Sequence, residues 1–371
     1  MKNLNILIIG GGIGGLTSAI ALGRDGHRLT IVEKDPDWAV YGVGIIQQGN
    51  VIRAMKQLGI IDDYLDSGFG FNFVEVCIPT GQMVARIPSH PLVEGYPANM
   101  GVSRPGLHKV LGERAKATGA EVRLGVTVEA LEDDAAQVTA RFSDGSSGSF
   151  DLVIGADGLY SRTREQILPE QARPEFTGQS VWRYNFAKPA DLDCLRAYDG
   201  QIGIGLVPLS ENLMYMYVTT PEPGNPWYET KGLAASMRSK LEGAPPAIAA
   251  LASQINVDEE VVYKPLEALM IEGDWHKGRV VLLGDAVHAT TPHLGQGAGM
   301  AIEDSIVLAE EIANADTPES AFAAFRNRRF DRCNYIVTAS LAICHGQLGK
   351  GPRVDQADAT RAMFEETAKP I

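Results

Sequence analysis

Residues 5–15 read NILIIGGGIGG, an apolar run of strand length followed by a glycine-rich turn. The turn contains the pattern GxGxxG, with its three glycines at Gly10, Gly12 and Gly15. In a strand–turn–helix unit, the first glycine permits the tight turn and the second lets a pyrophosphate approach the backbone. The third allows the helix to pack closely on the strand. Similar glycine turns also occur for purely steric reasons. The residues after the turn are therefore needed to distinguish a dinucleotide-binding turn from a structural one.

Those following residues favour a nucleotide-binding unit. Residues 17–22 have the pattern of a helix that ends near Gly26, and residues 29–33 form a second apolar strand that ends on Glu33. An acid placed roughly 20 residues beyond the glycines can bind the ribose hydroxyls of a dinucleotide. The stretch therefore predicts a Rossmann-type βαβ unit, without separating FAD from NAD.

Further along the chain, the pattern predicts a sheet domain inserted into the nucleotide-binding domain. Asn50 and Ser103 are predicted helix caps, and Asp144-Gly145 a hairpin turn. Strands are expected at residues 73–78, 83–87, 140–142, 150–154, 182–187, 202–207, 213–219 and 280–283, and a long helix from Met300 to about Ala313. The predicted domains are residues 1–72, 101–178 and 272–371 for nucleotide binding, with C-terminal helices, and residues 73–100 and 179–271 for the substrate sheet.

Composition excludes several classes of partner. The 371 residues carry 33 Lys and Arg against 46 Asp and Glu, and a net charge of -13 argues against nucleic acid or an anionic membrane as the main partner. The four cysteines form no CxxC pair, so we expect reduced thiols in a cytoplasmic protein. No run approaches the length of a membrane span. The sequence is silent on oligomeric state and is compatible with a homodimer.

Two more motifs lie after predicted strands. Residues 151–164 read DLVIGADGLYSRTR and place Asp157-Gly158 just past an apolar strand. Residues 278–304 read GRVVLLGDAVHATTPHLGQGAGMAIED, in which the strand ends at Gly284-Asp285. That carboxylate could accept hydrogen bonds from sugar-like hydroxyls, and the glycines at the following helix start can turn backbone N–H groups towards an anion. An ordinary Asp-Gly turn remains an alternative for the first of the two motifs.

In this order and spacing, the three motifs resemble the class A flavoprotein monooxygenases, the family of salicylate and para-hydroxybenzoate hydroxylases, over nearly the whole chain. The resemblance implies an α/β fold in which a Rossmann-type FAD-binding domain carries an inserted β-sheet substrate domain and C-terminal helices. It implies that FAD is held tightly without a covalent bond, and that NADH or NADPH binds transiently. It also implies that reduced flavin captures O2 as a C4a-hydroperoxide and hydroxylates a small phenolic or N-heteroaromatic compound, with or without a carboxyl group.

The resemblance also implies where FAD binds. The first motif serves the ADP phosphates, Asp157 serves FAD and the pyridine nucleotide, Asp285 serves the ribityl chain, and Arg104 contacts FAD unless it is a solvated arginine at a helix start. The implied cofactor residues are Gly10, Gly12, Ile13, Gly14, Gly15, Glu33, Lys34, Arg104, Asp157, Gly284, Asp285, Gly295, Gly297, Ala298 and Gly299. Many relatives carry Asn after Gly-Gln-Gly, where this chain has Ala298-Gly299. Backbone N–H groups there could still stabilise negative charge on reduced flavin.

Candidates on the substrate side are fewer. The resemblance places Tyr215 and Tyr217 in the substrate pocket and Gln47 near the flavin ring, and we predict Tyr215, Gln47 and Pro292 as the catalytic set. Arg183 could hold a substrate carboxylate. The alternatives are ordinary sheet packing for the tyrosines and a solvent-facing or paired arginine. We expect no metal site at His288 or the neighbouring His293, because no acidic ligand cluster accompanies them in the sequence.

Three other functions compete with hydroxylation. A flavin reductase or dehydrogenase of the same fold would use FAD without inserting oxygen. A redox-sensing interaction protein could keep the flavin and lose turnover, since fold alone does not fix function. A pyridine-nucleotide dehydrogenase would leave the Gly-Asp stretch without a role.

Overall fold

The computed structural model describes residues 1–40, 42–170, 173–198, 200 and 202–371. Its helices are α1 (Ile13–Arg24), α2 (Gly49–Gln57), α3 (Ile61–Asp66), α4 (Arg104–Ala117), α5 (Arg162–Ile167), α6 (Leu233–Lys240), α7 (Pro246–Ala252), α8 (Gly297–Asn314), α9 (Pro318–Gln347) and α10 (Gln356–Ala368). Short 3-10 turns cover Asp258–Glu260, Gly284–Ala286 and Pro292–Leu294. None of the helices in these ranges is long and apolar enough to cross a bilayer.

The strands are β1 (Asn5–Ile9), β2 (Arg28–Glu33), β3 (Gly44–Gln48), β4 (Gly68–Phe71), β5 (Phe73–Cys77), β6 (Met83–Pro88), β7 (Asn99–Ser103), β8 (Glu121–Leu124), β9 (Val128–Asp133), β10 (Val138–Phe142), β11 (Ser147–Phe150), β12 (Leu152–Gly155), β13 (Glu175–Ala187), β14 (Leu195–Tyr198), β15 (Gly203–Pro208), β16 (Leu213–Pro221), β17 (Val262–Ala268), β18 (His276–Lys277) and β19 (Val280–Leu282). They form four sheets.

The central sheet has six strands in the order β18-β19-β12-β1-β2-β8. All neighbouring pairs from β19 to β8 are parallel, and β18 is an antiparallel edge strand. Residues 6–8 of β1 and residues 152–154 of β12 are completely buried, as expected for parallel strands covered on both faces. Helix α1 packs against α8 and α4. The predicted Rossmann-type α/β fold is confirmed.

The second large sheet has seven strands in the order β17-β13-β16-β15-β14-β5-β6. It has its own apolar core around Trp182 and Met216, which includes residues of α6 and α7. A small sheet, β3-β7-β4, contacts this sheet at β15, where Gly101 lies against the backbone of Pro208. The long helix α9 contacts both β18 of the central sheet and β13 of the second one.

Several predicted elements are confirmed, and three are corrected. Ser103 caps α4 through its Oγ, which accepts the Gly106 N–H at 3.0 Å, and β5 and β6 form the expected hairpin. Asn50 is not a cap, because α2 begins one residue earlier and the Asn50 amide joins a buried hydrogen-bond network. The expected strand at 150–154 is two strands, divided at Asp151, whose carboxylate accepts the backbone N–H of Asn5 at 2.7 Å. Strand β13 begins at residue 175, earlier than the predicted 182.

Candidate functional site

The three sequence motifs meet at one edge of the central sheet. Gly10 follows β1, Ala156 follows β12 and Leu283 follows β19, and these three strands are parallel neighbours. Their carboxyl ends therefore lie side by side, which is where ligands bind in open α/β sheets. A cavity of about 1080 Å³ begins at this edge and extends to the face of the seven-stranded sheet.

The glycine turn is shaped to admit a ligand at one position and to pack tightly at the other two. Gly10 has φ +109°, and a Cβ there would overlap the carbonyl oxygen of Ala156. A Cβ on Gly15 would overlap the carbonyl oxygen of Gly10, whereas a Cβ on Gly12 would meet no protein atom within 4 Å. Gly12, Ile13 and Gly14 line the cavity. The first N–H groups of α1 have no partner within the helix, so this open space fits a pyrophosphate.

Glu33 braces this turn from the end of β2. One of its carboxylate oxygens accepts the Gly11 N–H at 2.8 Å, and the other accepts the Asp35 N–H at 2.9 Å. Lys34, beside it, is exposed. Sequence reasoning missed Trp38, whose Nε1 donates to the Gly11 carbonyl oxygen at 2.9 Å, because no motif marks it. Four of the predicted residues support or flank the turn outside the cavity wall: Gly10, Gly15, Glu33 and Lys34. A ribose hydroxyl could donate to Glu33 only through the lone pairs that the Gly11 and Asp35 N–H groups leave free.

Asp157 organises the loop after β12. Its carboxylate accepts hydrogen bonds from the Ser161 hydroxyl at 2.5 Å and from the backbone N–H and hydroxyl of Thr163 at 3.0 and 2.9 Å. Its neighbours Ala156 and Gly158 line the cavity, while the Asp157 side chain faces α5. Asp157 therefore stabilises the loop that forms this part of the cavity wall.

Of the three acids that the motifs predict, Glu33, Asp157 and Asp285, it is Asp285 that lines the cavity. Its side chain is accessible from the cavity and is otherwise enclosed by protein. This enclosure raises the pKa of its carboxyl, while His288 and Arg104 act in the opposite direction. The preceding Gly284 has φ +61°, and its N–H donates to Asp304 Oδ2 at 3.0 Å. A carboxylate held at this point can accept hydrogen bonds from ligand hydroxyls.

A buried charge network fixes the Gly284–Asp285 turn. His288 Nε2 lies 2.6 Å from Asp304 Oδ2, and Arg329 Nε donates to Asp304 Oδ1 at 2.8 Å. Burial acts to lower the pKa of His288, but the Asp304 carboxylate outweighs it and raises that pKa well above its ordinary value. Cys333 lies within 4.8 Å of both His288 and Asp304. Because two cationic partners already neutralise Asp304, we assign this group to the ion network and not to a metal.

The network continues to the opposite wall of the cavity. Arg329 pairs with Glu303 at 2.9 Å, and Glu303 accepts the Asn50 amide N–H at 3.2 Å. Asn50 donates to and accepts from the buried Gln296, and Gln48 Oε1 accepts a hydrogen bond from the same Gln296 amide. Polar groups from α2, α8 and α9 therefore hold the two sides of the cavity at a fixed separation.

The start of α8 closes the cavity at the predicted flavin-ring position. Pro292, Gly295, Gly297 and Ala298 line the wall, so Ala298 occupies the place of the family asparagine with no polar side chain. Gly299 does not face the cavity, because a Cβ there would lie 2.9 Å from Gln296 Oε1 and 3.1 Å from Val51 of α2. The N–H groups at the start of an 18-residue helix point towards this end of the cavity.

Two arginines and two tyrosines share the substrate side of the cavity. Arg183 of β13, Tyr215 and Tyr217 of β16 and Arg104 of α4 all line it. Burial and, to a smaller extent, the nearby Arg104 together lower the pKa of Arg183 to about 10. Burial raises the pKa of Tyr215 to about 12 against the opposing effect of both arginines. At neutral pH this wall therefore presents two cations and two protonated phenols.

Gln47 is the one predicted catalytic residue that the structure does not bring to the cavity. Successive strand residues face opposite sides, so Gln47 lies on the face of β3 opposite Ile46 and Gln48. Both Ile46 and Gln48 line the cavity, whereas the Gln47 amide is buried without a hydrogen-bond partner among the described residues. Gly44 at the start of β3 packs under the Tyr215 ring, and this contact together with the pairing of β3 places Gln48 on the cavity side.

The comparisons with known proteins agree with this geometry. Residues 3–338 match the FAD binding domain family. A putative FAD-dependent monooxygenase of Bacillus subtilis (strain 168) is 32% identical over 95% of this chain and 96% of that protein. The chain belongs to this family of FAD-dependent monooxygenases. The 6-hydroxynicotinate 3-monooxygenase of Bordetella bronchiseptica is another relative of the chain, 30% identical over 90% of each protein.

Solved structures give the same picture of this flavoprotein monooxygenase. The crystal structure of Klebsiella pneumoniae HpxO complexed with FAD and uric acid superposes with a TM-score of 0.83 and 27% identity, covering 98% of this chain and 92% of that one. The predicted family, the FAD cofactor and the oxidoreductase class are thus confirmed. NAD(P)H is the co-substrate typical of the family.

Proposed function

We propose that this FAD-dependent monooxygenase hydroxylates a small aromatic compound that carries an anionic group, with NADH or NADPH and O2 as co-substrates. One observation carries the proposal. The Arg183 guanidinium is enclosed at the cavity wall, and it has no acidic partner among the residues that the structure describes. An enclosed cation without a counter-ion is costly, and a planar guanidinium matches a carboxylate with two parallel hydrogen bonds. A substrate carboxylate or phenolate would supply that missing charge.

The relatives support this class of substrate. Their names include a 6-hydroxynicotinate 3-monooxygenase and a 3-hydroxybenzoate 6-hydroxylase, the latter from Polaromonas naphthalenivorans and 32% identical over 91% of this chain. Both named compounds combine an aromatic ring with a carboxylate and a hydroxyl group. An arginine beside protonated phenols suits that combination, because it offers one cation and separate hydrogen-bond donors.

FAD would lie along the cavity from the glycine turn to the start of α8. The α1 N-terminus at Gly12 would hold the pyrophosphate, Asp285 would accept from ribityl hydroxyls, and N–H groups at Gly297 would face the flavin ring. When bound, FAD supplies the electrons and the site at which O2 is activated. Glu33 would complete the ribose end, and Pro292 and Ala298 would exclude water beside the ring.

Tyr215 would orient the aromatic substrate. Its ring is fixed by packing on Gly44, and a pKa of about 12 keeps its phenol protonated at neutral pH. The hydroxyl is therefore a hydrogen-bond donor to a substrate oxygen, and it is not a base in the resting enzyme. Tyr217, whose ring lies 6.3 Å from that of Tyr215, extends the same wall.

The test is a panel of aromatic acids added to the yellow, FAD-bound enzyme. Stimulated NAD(P)H and O2 consumption together with a hydroxylated product supports the proposal. Arg183→Met should raise the KM of carboxylated substrates roughly tenfold or more, because a charge-assisted hydrogen bond contributes about 1.5–3 kcal/mol. The matched change Lys264→Met removes a cation from the same cavity wall away from Tyr215, and it should have a smaller effect.

Two outcomes would overturn the proposal. NAD(P)H oxidation that no aromatic stimulates would favour a reductase or dehydrogenase, and flavin that is never reduced by NAD(P)H would favour a redox sensor.

The division of the chain into a nucleotide-binding domain, residues 1–72, 101–178 and 272–371, and a substrate domain, residues 73–100 and 179–271, stays a prediction. A cytoplasmic location and a homodimer also stay predictions.

A further inference from the structure

Gln347, the last residue of α9, lies in the cavity wall on the side of the seven-stranded sheet. Its amide nitrogen is beside Gly203 of β15, where an added Cβ would lie 3.5 Å from Gln347 Nε2. Tyr217 and Thr219 of β16 line the same part of the wall. A polar group from the C-terminal helices therefore reaches the sheet that we assign to the substrate.

The carbonyl oxygen of this amide is fully used by the protein. Gln347 Oε1 lies 3.1 Å from His293 Nε2, and it accepts a hydrogen bond from Gln179 Nε2 at 2.8 Å. A carboxamide oxygen has two lone pairs, so two donors satisfy it. The amide is thus held with its oxygen towards the protein and its nitrogen on the other side.

Both donors are themselves oriented. His293 Nδ1 lies 3.0 Å from the Thr291 hydroxyl, which can donate to it in the tautomer that carries the ring proton on Nε2, and that tautomer lets Nε2 donate to Gln347 Oε1. Burial lowers the pKa of His293 to about 4, so the ring is neutral at neutral pH. The Gln179 amide oxygen accepts from the Cys344 thiol at 3.4 Å, which directs its nitrogen towards Gln347. Both contacts are satisfied together when the Gln347 oxygen faces His293 and Gln179 and its nitrogen faces away from them.

We propose that Gln347 is a substrate-binding residue that donates its amide hydrogens to an oxygen acceptor on the aromatic compound, and that His293 is the positioning residue behind it. The Gln347 nitrogen has no hydrogen-bond partner in the part of the chain that the structure describes. The proposal rests on the function proposed above and narrows its substrate class. The compound carries a carbonyl or phenolate oxygen in addition to the anionic group that faces Arg183.

Such a donor contributes to substrate specificity, because it distinguishes compounds that carry the acceptor oxygen from compounds that lack it. A site that is built to hydrogen-bond one substrate atom rejects the analogue that lacks it, because a polar group of the site is then left unpaired. An amide nitrogen with both hydrogens directed outwards cannot accept a hydrogen bond, so it also disfavours a donor such as a ring N–H at the same position.

The experiment measures ligand binding to the FAD-loaded enzyme by the change in flavin absorbance. The probes are two pairs, 3-hydroxybenzoate with benzoate and 6-hydroxynicotinate with nicotinate, whose members differ by the acceptor oxygen and share the carboxylate. Gln347→Glu keeps an oxygen for His293 and Gln179 and loses the amide hydrogens, whereas Gln347→Leu loses both. Gln356→Glu places the same charge elsewhere on the cavity wall and serves as the control.

We expect wild-type enzyme to prefer the hydroxylated member of at least one pair. Gln347→Leu should raise the Kd of that member roughly tenfold to a hundredfold, while the Kd of its partner changes by no more than about twofold. Gln347→Glu should abolish the preference and raise the Kd of both members, because its carboxylate repels the carboxylate that they share. His293→Leu should weaken the preference, and His293→Gln, which can present an N–H at the same place, should restore it. Gln356→Glu should leave the preference in place.

The failures of the two proposals are distinguishable. Wild-type enzyme that turns over an aromatic acid but does not prefer either hydroxylated member overturns this inference alone. Variants that keep their flavin and retain the wild-type preference also overturn it alone. Wild-type enzyme that responds to no aromatic compound overturns the proposed function and this inference with it.

Discussion

Replacing Gly12 by alanine should separate FAD binding from protein stability. Gly12 precedes α1 with φ -82° and ψ -171°, a conformation that alanine adopts without strain. A Cβ at this position would meet no protein atom within 4 Å. The new methyl group would therefore occupy the space that we assign to the pyrophosphate, and the apoprotein would keep its fold.

The expected magnitudes follow from these contacts. Losing one or more charge-assisted hydrogen bonds from the turn to the pyrophosphate costs about 1.5–3 kcal/mol each, which is roughly a tenfold to 150-fold rise in the Kd of FAD. Replacing glycine by alanine in a compatible conformation changes folding free energy by less than about 1 kcal/mol. For a chain of this length, that change moves the Tm of the apoprotein by no more than about 2 °C.

Gly15→Ala is the matched contrast in the same turn. Its Cβ would overlap the Gly10 carbonyl oxygen, which belongs to backbone and cannot swing away. We expect a destabilisation of at least about 1–3 kcal/mol, so that stability and FAD binding fall together. Gly42→Ala, also with no atom within 4 Å, controls for the loss of a glycine outside the turn.

The assay titrates FAD into each apoprotein, follows the quenching of flavin fluorescence and records the melting of the same samples. If the Gly12→Ala variant binds FAD with wild-type affinity, the pyrophosphate does not approach this residue. An apoprotein of Gly12→Ala that melts as early as that of Gly15→Ala would also contradict the reasoning, because it would mean that the space beside Gly12 is not open.

Three further changes test the interior. Arg329→Met removes one cationic partner from each of two buried carboxylates, Asp304 and Glu303, which keep His288 and Arg332, and it should cost about 3–5 kcal/mol in chemical denaturation. Arg328→Met removes only surface pairs and should cost at most about 1 kcal/mol; equal losses would refute the role of the buried network. Because the folded-state pKa of His293 is lowered to about 4, the unfolded chain takes up the proton first as pH falls from about 6.5. Stability should therefore decline by about 1 kcal/mol per pH unit towards pH 4, and His293→Gln should flatten that decline relative to wild type. Tyr215→Phe should lower product formed per NAD(P)H consumed, with Tyr217→Phe affecting it less, as measured by peroxide release; full coupling in Tyr215→Phe would remove its orienting role.

Much of the cofactor side could be read from the chain. The three motifs each follow an apolar strand, and parallel strands bring their carboxyl ends to one edge, so local sequence already predicts that Gly12, Asp157 and Asp285 lie near one another. The prediction was wrong where a shift of one residue along a strand changes which side chain faces the cavity. Gln47 and Gln48 are chemically identical, and only the pairing of β3 shows which of them faces the cavity.

What the sequence determined by itself is the Rossmann unit, its glycine turn and the family of flavoprotein monooxygenases, because these depend on short-range spacing along the chain. The resemblance names Tyr215, Tyr217 and Arg183 as candidates for the substrate side, but only the tertiary structure decided which groups meet there and added Gln347. Arg183, Tyr215 and Gln347 come from β13, β16 and the end of α9, and no periodicity relates positions so far apart. These residues come together because α9 contacts both large sheets. Long-range packing of that kind cannot be predicted from the sequence of any one segment.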